Sequence, residues 1–362
     1  MASPKYQPIV DQLRAELAEQ QPGARFISEN ELCLRFQVSR PTAARVLREL
    51  AALGLIERRV GSGTFVRNPV AQEAASTDVT IGLMLAGLGA TEVWDPLTRH
   101  LSQACSALGV TVLVNPEVSP RDEVAAAAEQ VEWLLEREVD GVLFAPLEGV
   151  ARREAENRAI CRRLTEAGVE VVLLDRDVAD FPGRSDFDLV GMDNVRAGAL
   201  LGSHLAEQGL HRAVFLSYPD YPSTTDLRAA GCRWALSRAG VAVRPDWHAQ
   251  GDPSEDDWVI RVLDEHDPQV VVCSNDRTAA LLLQTLARLG RRVPADIAVT
   301  GFDDVVYSQL LPVALTTVAQ PFAAIAQVAV ERLVARIADP QREPAELALA
   351  PRLMARASTG AL

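Results

Sequence analysis

Several side chains in this sequence have types and positions suited to holding a small polar molecule. Asp175 follows the apolar run 170–174, Asn275-Asp276 follows 270–273 and Asp303-Asp304 follows 298–302, while Arg228 lies on the helical stretch after 213–216. A carboxylate accepts hydrogen bonds, a guanidinium donates them and a carboxamide does both. Converging in one cleft, these groups would offer a polyhydroxylated ligand paired donors and acceptors. Taken singly, each aspartate reads equally well as a helix N-cap or a turn residue. A second group lies in residues 39–53, SRPTAARVLRELAAL. Ala43, Val46, Leu47, Leu50 and Leu53 recur at helical steps and share one face, with Arg45 and Arg48 on the opposite one. An apolar back and an arginine front suit a helix lying in the DNA major groove. The same pattern also describes an ordinary amphipathic helix with a solvated face.

The flanks of residues 39–53 separate those two readings. Ser39 is placed to cap the helix, and Pro41 falls in the first turn, where its missing N–H costs nothing. Upstream, Tyr6, Ile9, Val10, Leu13 and Leu17 form an apolar stripe that Pro22-Gly23 ends. Ser28-Glu29-Asn30-Glu31 is a capping-box sequence, and the short helix it opens buries Leu32 and Phe36. Downstream, 56–60 and 64–67 flank Gly61-Ser62-Gly63, the pattern of a hairpin with glycines at the turn. Three short helices and a hairpin make a winged helix-turn-helix, an α+β unit. Its glycine tip lets backbone approach phosphates, and Arg58, Arg59 and Arg67 would neutralise them.

Residues 68–78, NPVAQEAASTD, show neither periodicity and read as a linker. Beyond them strands and helices alternate. The predicted strands are 79–85, 111–115, 141–144, 170–174, 189–192, 213–216, 270–273 and 298–302. The predicted helices are 96–108, 122–138, 152–167, 195–208, 225–239, 258–265, 276–289 and 321–338. Short, near-continuous Val/Leu/Ile runs are those of parallel strands covered on both faces. The alternation implies doubly wound α/β structure with ligands beyond the carboxyl ends of the strands. It holds about twice the strands of one such sheet, hence two lobes.

Charge and rare residues exclude several classes. The chain has 362 residues and a net charge of −13. Residues 1–70 hold ten Lys+Arg against seven Asp+Glu, the remainder 26 against 42, so the N-terminal end is the one suited to nucleic acid. An excess of +3 is small enough to require two heads acting together. Lys5 is the only lysine, which excludes a P-loop and, in the larger part, a pyridoxal-phosphate Schiff base. The five cysteines have no CxxC or metal spacing and read as core residues. Gly87-Leu88-Gly89 after the first α/β strand begins a dinucleotide fingerprint, but the third glycine position is Glu92. There is no HExxH and no GxSxG. No catalytic residue, metal or cofactor is expected. No run is long enough to span a bilayer and the N-terminus does not read as a signal peptide, so a cytoplasmic protein is expected.

The first 67 residues resemble the gluconate-repressor (GntR) family of bacterial transcription factors. The resemblance is carried by Ser28-Glu29-x-Glu31-Leu32, Val38-Ser39-Arg40-x-Thr42, Leu47-x-x-Leu50, Gly54-Leu55-Ile56 and Gly61-x-Gly63-Thr64-Phe65-Val66. It implies that Ser39, Arg40, Thr42 and the wing residues Gly61, Gly63 and Thr64 approach double-stranded operator DNA, together with Arg45, Arg48 and Arg58. Pro41 replaces the family's usual small hydroxyl residue. Ala44 stands where a base-contacting arginine is common, which leaves that contact to Arg45 or to a different operator.

Residues 79–362 resemble the effector domain of the lactose/galactose-repressor (LacI/GalR) family, itself similar to periplasmic sugar-binding proteins. The carrying residues are Asp140-Gly141-Val142, Val190-Gly191-Met192-Asp193-Asn194, Arg228-x-x-Gly231, Ser274-Asn275-Asp276, the stretch from Val293 to Asp304, Thr316-Thr317-Val318-x-Gln320-Pro321 and Arg356-Ala357-Ser358-Thr359. The resemblance implies two lobes with crossings near 190, 316 and 350. It implies that Arg228, Asn275 and Asp303 bond the effector, that Asp175 and Thr224 reach it, and that Trp94 and Asp95 close the cleft from the other lobe. Pro253 stands where relatives often stack an aromatic on a sugar. The mosaic is similar to arabinose-repressor-type regulators. It implies a homodimeric repressor released from its operator by a small metabolite, most simply a sugar. The competing readings are a Rossmann-like enzyme and a sugar-binding protein without DNA function.

Overall fold

A computed structural model describes residues 26–52, 56–59, 63–66, 79–85, 92–115, 123–148, 153–179, 182–219 and 221–360, with 9, 10, 13, 16 and 17. Its contacts divide the chain into two units, Met1–Thr77 with Ala107–Gly109, and Asp78–Ser106 with Val110–Leu362.

In the first unit the apolar stripes meet. Helical Ile9, Val10, Leu13 and Leu17 are buried with Phe26, Leu32, Ala43, Val46, Leu47, Leu50 and Ile56 in one core. Helix α1 (Glu29–Phe36) opens on the expected capping box. The Glu31 N–H donates to Ser28 Oγ at 3.3 Å, and the Ser28 N–H donates to the Glu31 carboxylate at 2.7 Å. Gln37, with φ of 49°, ends α1 in the left-handed region and turns the chain toward α2 (Arg40–Ala52). Strands β1 (Ile56–Arg59) and β2 (Gly63–Val66) pair antiparallel from Ile56 opposite Val66 to Arg59 opposite Gly63. The Phe26 N–H donates to the Thr64 carbonyl at 2.8 Å and ties this hairpin to the segment before α1.

The second unit begins with β3 (Thr80–Leu85), α3 (Trp94–Ala107), β4 (Thr111–Val114), α4 (Glu123–Leu135), β5 (Gly141–Ala145), α5 (Glu154–Glu166), β6 (Glu170–Leu174) and β7 (Asp188–Met192). After Met192 the chain crosses into a second lobe. That lobe holds α6 (Asn194–Glu207), β8 (Ala213–Ser217), α7 (Ser223–Arg238), β9 (His248–Gln250), α8 (Asp256–His266), β10 (Val270–Cys273), α9 (Asp276–Arg288) and β11 (Ala298–Thr300). It crosses back along β12 (Thr317–Ala319) into α10 (Phe322–Ala338) and β13 (Glu346–Leu349), and crosses a third time into β14 (Arg352–Met354). The first lobe's sheet runs β13-β7-β6-β5-β3-β4 and the second's β11-β10-β8-β9, every pairing parallel. The short crossing strands β12 and β14 pair antiparallel. Each sheet is covered on both faces, as the continuous apolar runs required. On one face of the first sheet lie Leu97 and Leu101 of α3 and Ala329 and Leu333 of α10; on the other lie Val131 of α4 and Leu164 of α5.

Four strands depart from the sequence expectation. Strands β9, β12, β13 and β14 are three or four residues long, and β13 alternates between exposed and half-buried positions, so none has an apolar run to mark it. Strand β11 stops at Thr300 rather than at residue 302, and the chain reaches Asp303 at φ of 107°, outside any regular strand.

A buried charge cluster ties the first lobe together. Asp188, fully buried, accepts from Arg336 Nε at 2.5 Å, from the Ala345 N–H at 2.7 Å, and lies 2.8 Å from Arg332 Nη2. Burial alone would raise this carboxyl; the hydrogen bonds from Arg332, Arg336 and the Ala345 N–H overcome it and hold the group below its ordinary range. A carboxylate depressed in this way adds stability above its unfolded pKa and loses it as pH falls through the folded value. Asp188→Ala leaves two inward arginines without their counter-charge and is expected to cost about 3–5 kcal/mol at pH 7. In urea unfolding, the gap between the variant and the native chain should shrink as pH falls below about 4; a gap constant with pH would show that the cluster is held by packing instead.

Candidate functional site

The outward side of α2 carries the head's polar surface. Ser39, Arg40 and Arg45 are exposed and Thr42 is half-buried, with Ser39 Oγ 2.9 Å from Thr42 Oγ1 at the start of the helix. Gly63 opens β2 opposite Arg59. Gly61 and the side chains of Arg48 and Arg58 lie outside the described residues. Thr64 corrects its expectation: it is 4% exposed, so its side chain faces the unit's interior, and its carbonyl anchors the hairpin to Phe26.

In the second unit the strand-end residues meet between the lobes. Trp94, Asp175, Thr224, Arg228, Asn275 and Asp303 line one cleft. The first lobe supplies Trp94 at the start of α3 and Asp175 after β6. The second supplies Thr224 and Arg228 on α7, Asn275 after β10 and Asp303 after β11.

Arg228 is the most constrained of these side chains. Its Nε donates to Asn194 Oδ1 at 2.9 Å, its Nη1 to the Ser274 carbonyl at 2.9 Å, and its Nη2 lies 3.2 Å from Asp303 Oδ1. The guanidinium also lies 5.1 Å from the centre of the Phe302 ring. Its backbone is fixed by close helix packing. A Cβ at Gly198 would fall 1.9 Å from the Arg228 carbonyl oxygen, and one at Gly231 would fall 2.0 Å from that of Val195. Only glycine at both positions lets α6 and α7 approach this closely.

Asp303 accepts from Gln320 Nε2 at 2.8 Å as well as facing Arg228. Burial pushes its carboxyl up, Arg228 and Gln320 pull it down, and Asp175 opposite adds to the rise. Behind it, buried Asp276 accepts from Thr317 Oγ1 at 2.6 Å and from the Val305 N–H at 3.0 Å, so it holds the Asp303 loop against the crossing strand β12. Burial and the neighbouring Asp303 raise the Asp276 carboxyl well above its ordinary value. On the first lobe, Arg176 lies 2.9 Å from Asp175 Oδ2 and 3.1 Å from Glu148 Oε1, steadying two cleft carboxylates at once. Asp175 has φ of 70°, and Gly191 lets its main chain sit close, since a Cβ there would meet the Asp175 carbonyl oxygen at 3.0 Å. Asn275 caps α9, its Oδ1 accepting the Thr278 N–H at 2.8 Å, so the N-cap reading holds, and the residue also lines the cleft.

One expectation is revised. Asp95 is exposed and does not line the cleft: it follows Trp94 on α3, and a helical step of about 100° turns it outward as Trp94 turns in. Pro253 is buried, and its carbonyl accepts Thr285 Oγ1 at 2.7 Å, so it anchors a loop to α9. The aromatic surfaces in the cleft come instead from Trp94 and Phe322. Phe322, Gln320 and Glu148 were not read from the sequence as site residues. Glu148 follows β5 by three residues, and the strand-end reasoning that found Asp175 applies to it too. Gln320 and Phe322 lie on a crossing segment, which no strand pattern marks. Three carboxylates and one arginine line the cleft, and with Arg176 behind them the charges favour a neutral, hydroxyl-bearing guest over an anion.

Comparisons with known proteins agree with this architecture. Residues 5–66 match the bacterial regulatory proteins of the gntR family, and residues 203–359 match a periplasmic binding protein-like domain. The chain is 29% identical over 284 residues to the ribose operon repressor of Escherichia coli, covering 77% of this chain and 82% of that protein. It is 25% identical over 346 residues to the arabinose metabolism transcriptional repressor of Geobacillus stearothermophilus, covering 92% and 91%. A solved structure of a LacI-family regulator from Sanguibacter keddieii superposes with a TM-score of 0.61 at 30% identity, over 78% of this chain and all of that one. The chain therefore belongs to the bacterial transcriptional regulators, with a head of the gntR family and a LacI-type, periplasmic-binding-protein-like effector domain.

Proposed function

We propose that this regulator is a homodimeric repressor that holds a near-palindromic operator through α2 and the wing and leaves it when a neutral sugar or related polyol fills the cleft. The observation that carries the reading is the cleft itself: donors and acceptors from both lobes face one space, beside the faces of Trp94 and Phe322. We assign residues 1–67 to DNA, 68–78 to a linker and 79–362 to effector binding and dimerisation. A guest bridging Asp175 on one lobe and Arg228, Asn275 and Asp303 on the other stabilises their closed arrangement. Operator and effector then oppose each other by one coupling factor, typically 5–150-fold. The reading gives the chain no catalytic role and places it in the cytoplasm with the chromosome. The ribose and arabinose systems controlled by the two repressors above support a pentose-class guest.

A thermal-shift screen over neutral pentoses and hexoses should find a stabilising sugar, since ligand at 100 times Kd adds about 2.7 kcal/mol to the folded state. That sugar should release operator DNA in a gel shift; a sugar that tightens the DNA complex reverses the sign of the response. Asp303→Asn keeps the shape but loses the charged acceptor, and is expected to weaken effector binding about 10–100-fold with DNA binding unaltered in its absence. Unchanged effector affinity would move the pocket elsewhere. Arg45→Ala should weaken operator binding by about 1–3 kcal/mol and leave effector titrations as they were; equal loss on every DNA sequence makes Arg45 a phosphate contact.

A further inference from the structure

The two walls of the cleft differ in what they offer a guest. The second lobe brings the guanidinium of Arg228, the Asp303 carboxylate paired with it, the Asn275 carboxamide and the Thr224 hydroxyl. Charge is balanced there, and donors stand beside acceptors. The charged groups that the first lobe brings are two carboxylates, Asp175 and Glu148. Arg176 lies behind them rather than on the cleft surface, and is 6% exposed. Its Nε and Nη2 donate to the Pro146 carbonyl at 3.1 and 2.6 Å, and its Nη1 donates to Asp175 Oδ2 at 2.9 Å. Its Nη2 also lies 3.1 Å from Glu148 Oε1. With these partners the guanidinium is committed within its own lobe.

Glu148 is held in place from both sides of the segment that carries it. The Leu147 N–H donates to Asn157 Oδ1 at 2.8 Å, and the Leu147 carbonyl accepts from Asn157 Nδ2 at 3.3 Å. Asn157, on α5, is itself buried. The Pro146 carbonyl takes two of the Arg176 bonds. The backbone leading to Glu148 is therefore fixed by two buried side chains, while a third of its own side chain stays open to the cleft. Among the groups that line the cleft or pair with its lining, Asp175 and Asp303 are matched by Arg176 and Arg228. Glu148 is the charge left in excess. A repulsive element of this kind selects against a wrong ligand without adding a contact to the right one.

We propose that Glu148 is the residue that restricts the cleft to neutral sugars: its carboxylate keeps Arg176 occupied and leaves the first-lobe wall negative, so a sugar acid is turned away. This rests on the sugar reading above and goes beyond it by assigning the selection to one side chain. The test is isothermal titration of the full chain with the neutral sugar found by thermal shift, with the uronate of the same ring configuration and with the aldonate. The two acids carry their carboxylates at opposite ends. The native chain is expected to prefer the neutral sugar over either acid by about a hundredfold or more. Glu148→Gln is expected to lower both preferences by about tenfold or more, through tighter binding of the acids. Glu148→Asp keeps the charge and is expected to preserve them within about threefold. Glu148→Ala repeats the measurement if the glutamine variant fails to fold, which circular dichroism would report. An unchanged preference in a folded neutral variant, an equal loss in the aspartate variant, or a native chain that binds the acids as tightly as the sugar would overturn the role of Glu148 and leave the sugar reading standing. Binding of no neutral sugar would overturn both.

Discussion

The guanidinium of Arg228 is the group around which the effector domain is arranged. A buried cation left without partners costs several kcal/mol, so the elements around it must deliver acceptors to fixed positions. They do so from three sides: Asn194 at the start of α6, the Ser274 carbonyl at the end of β10, and Asp303 beyond β11. The glycine contact between α6 and α7 sets the height of Arg228 above the second sheet. Gly198 and Gly231 are thus part of the electrostatics of the cleft, because any side chain there would push Arg228 away from Asn194 and Asp303.

This arrangement also explains how a small guest can be felt beyond the cleft. Asn194 stands immediately after the first crossing between lobes, and Gln320, which donates to Asp303, stands on the second. Asp276 links the Asp303 loop to Thr317 on that same crossing. The third crossing ends near Arg356, which donates to the Leu315 carbonyl at 2.9 Å and pairs with Asp304 at 2.5 Å. A ligand that takes up the remaining acceptor capacity of Asp303 therefore acts on groups bonded to all three connections. Differential contact with open and closed lobes is what a coupling energy requires, and here the contacts and the hinges belong to one network.

The parts of this structure that were legible in the sequence are those fixed by local chemistry. The Ser28–Glu31 capping box needs only four residues and formed as expected. The alternation of apolar runs and amphipathic stretches gave the two-lobed α/β architecture, because parallel strands covered on both faces have no polar side to interrupt them. Asp175, Asn275 and Asp303 could be placed at the cleft because clefts of such folds lie at strand ends, and Arg228 because its helix follows one of those strands. What local chemistry could not show was orientation. Thr64 sits in a strand where alternation decides inward from outward, and Asp95 one helical step from Trp94. Gln320 and Phe322 are brought to the cleft by a crossing whose strand, β12, is three residues long and carries no pattern of its own.

The near-exclusive use of arginine fits these same demands. With Lys5 as the only lysine, every described cation inside the second unit other than histidine is a guanidinium. Arg336 reaches Asp188 and the Arg342 carbonyl, Arg176 reaches Asp175, Glu148 and the Pro146 carbonyl, and Arg228 reaches Asn194, Ser274 and Asp303. Each joins elements far apart in sequence with bonds in the plane of one rigid fork. An ammonium is a more strongly hydrated point charge and would lose more on burial. It would also lack the planar geometry that lets one cation join a strand end, a loop carbonyl and a carboxylate together. Fixed cations of this kind hold the cleft carboxylates in place before any ligand arrives, so less of the binding energy is spent on ordering the site. Within each lobe the groups that line the cleft are thereby held in fixed register.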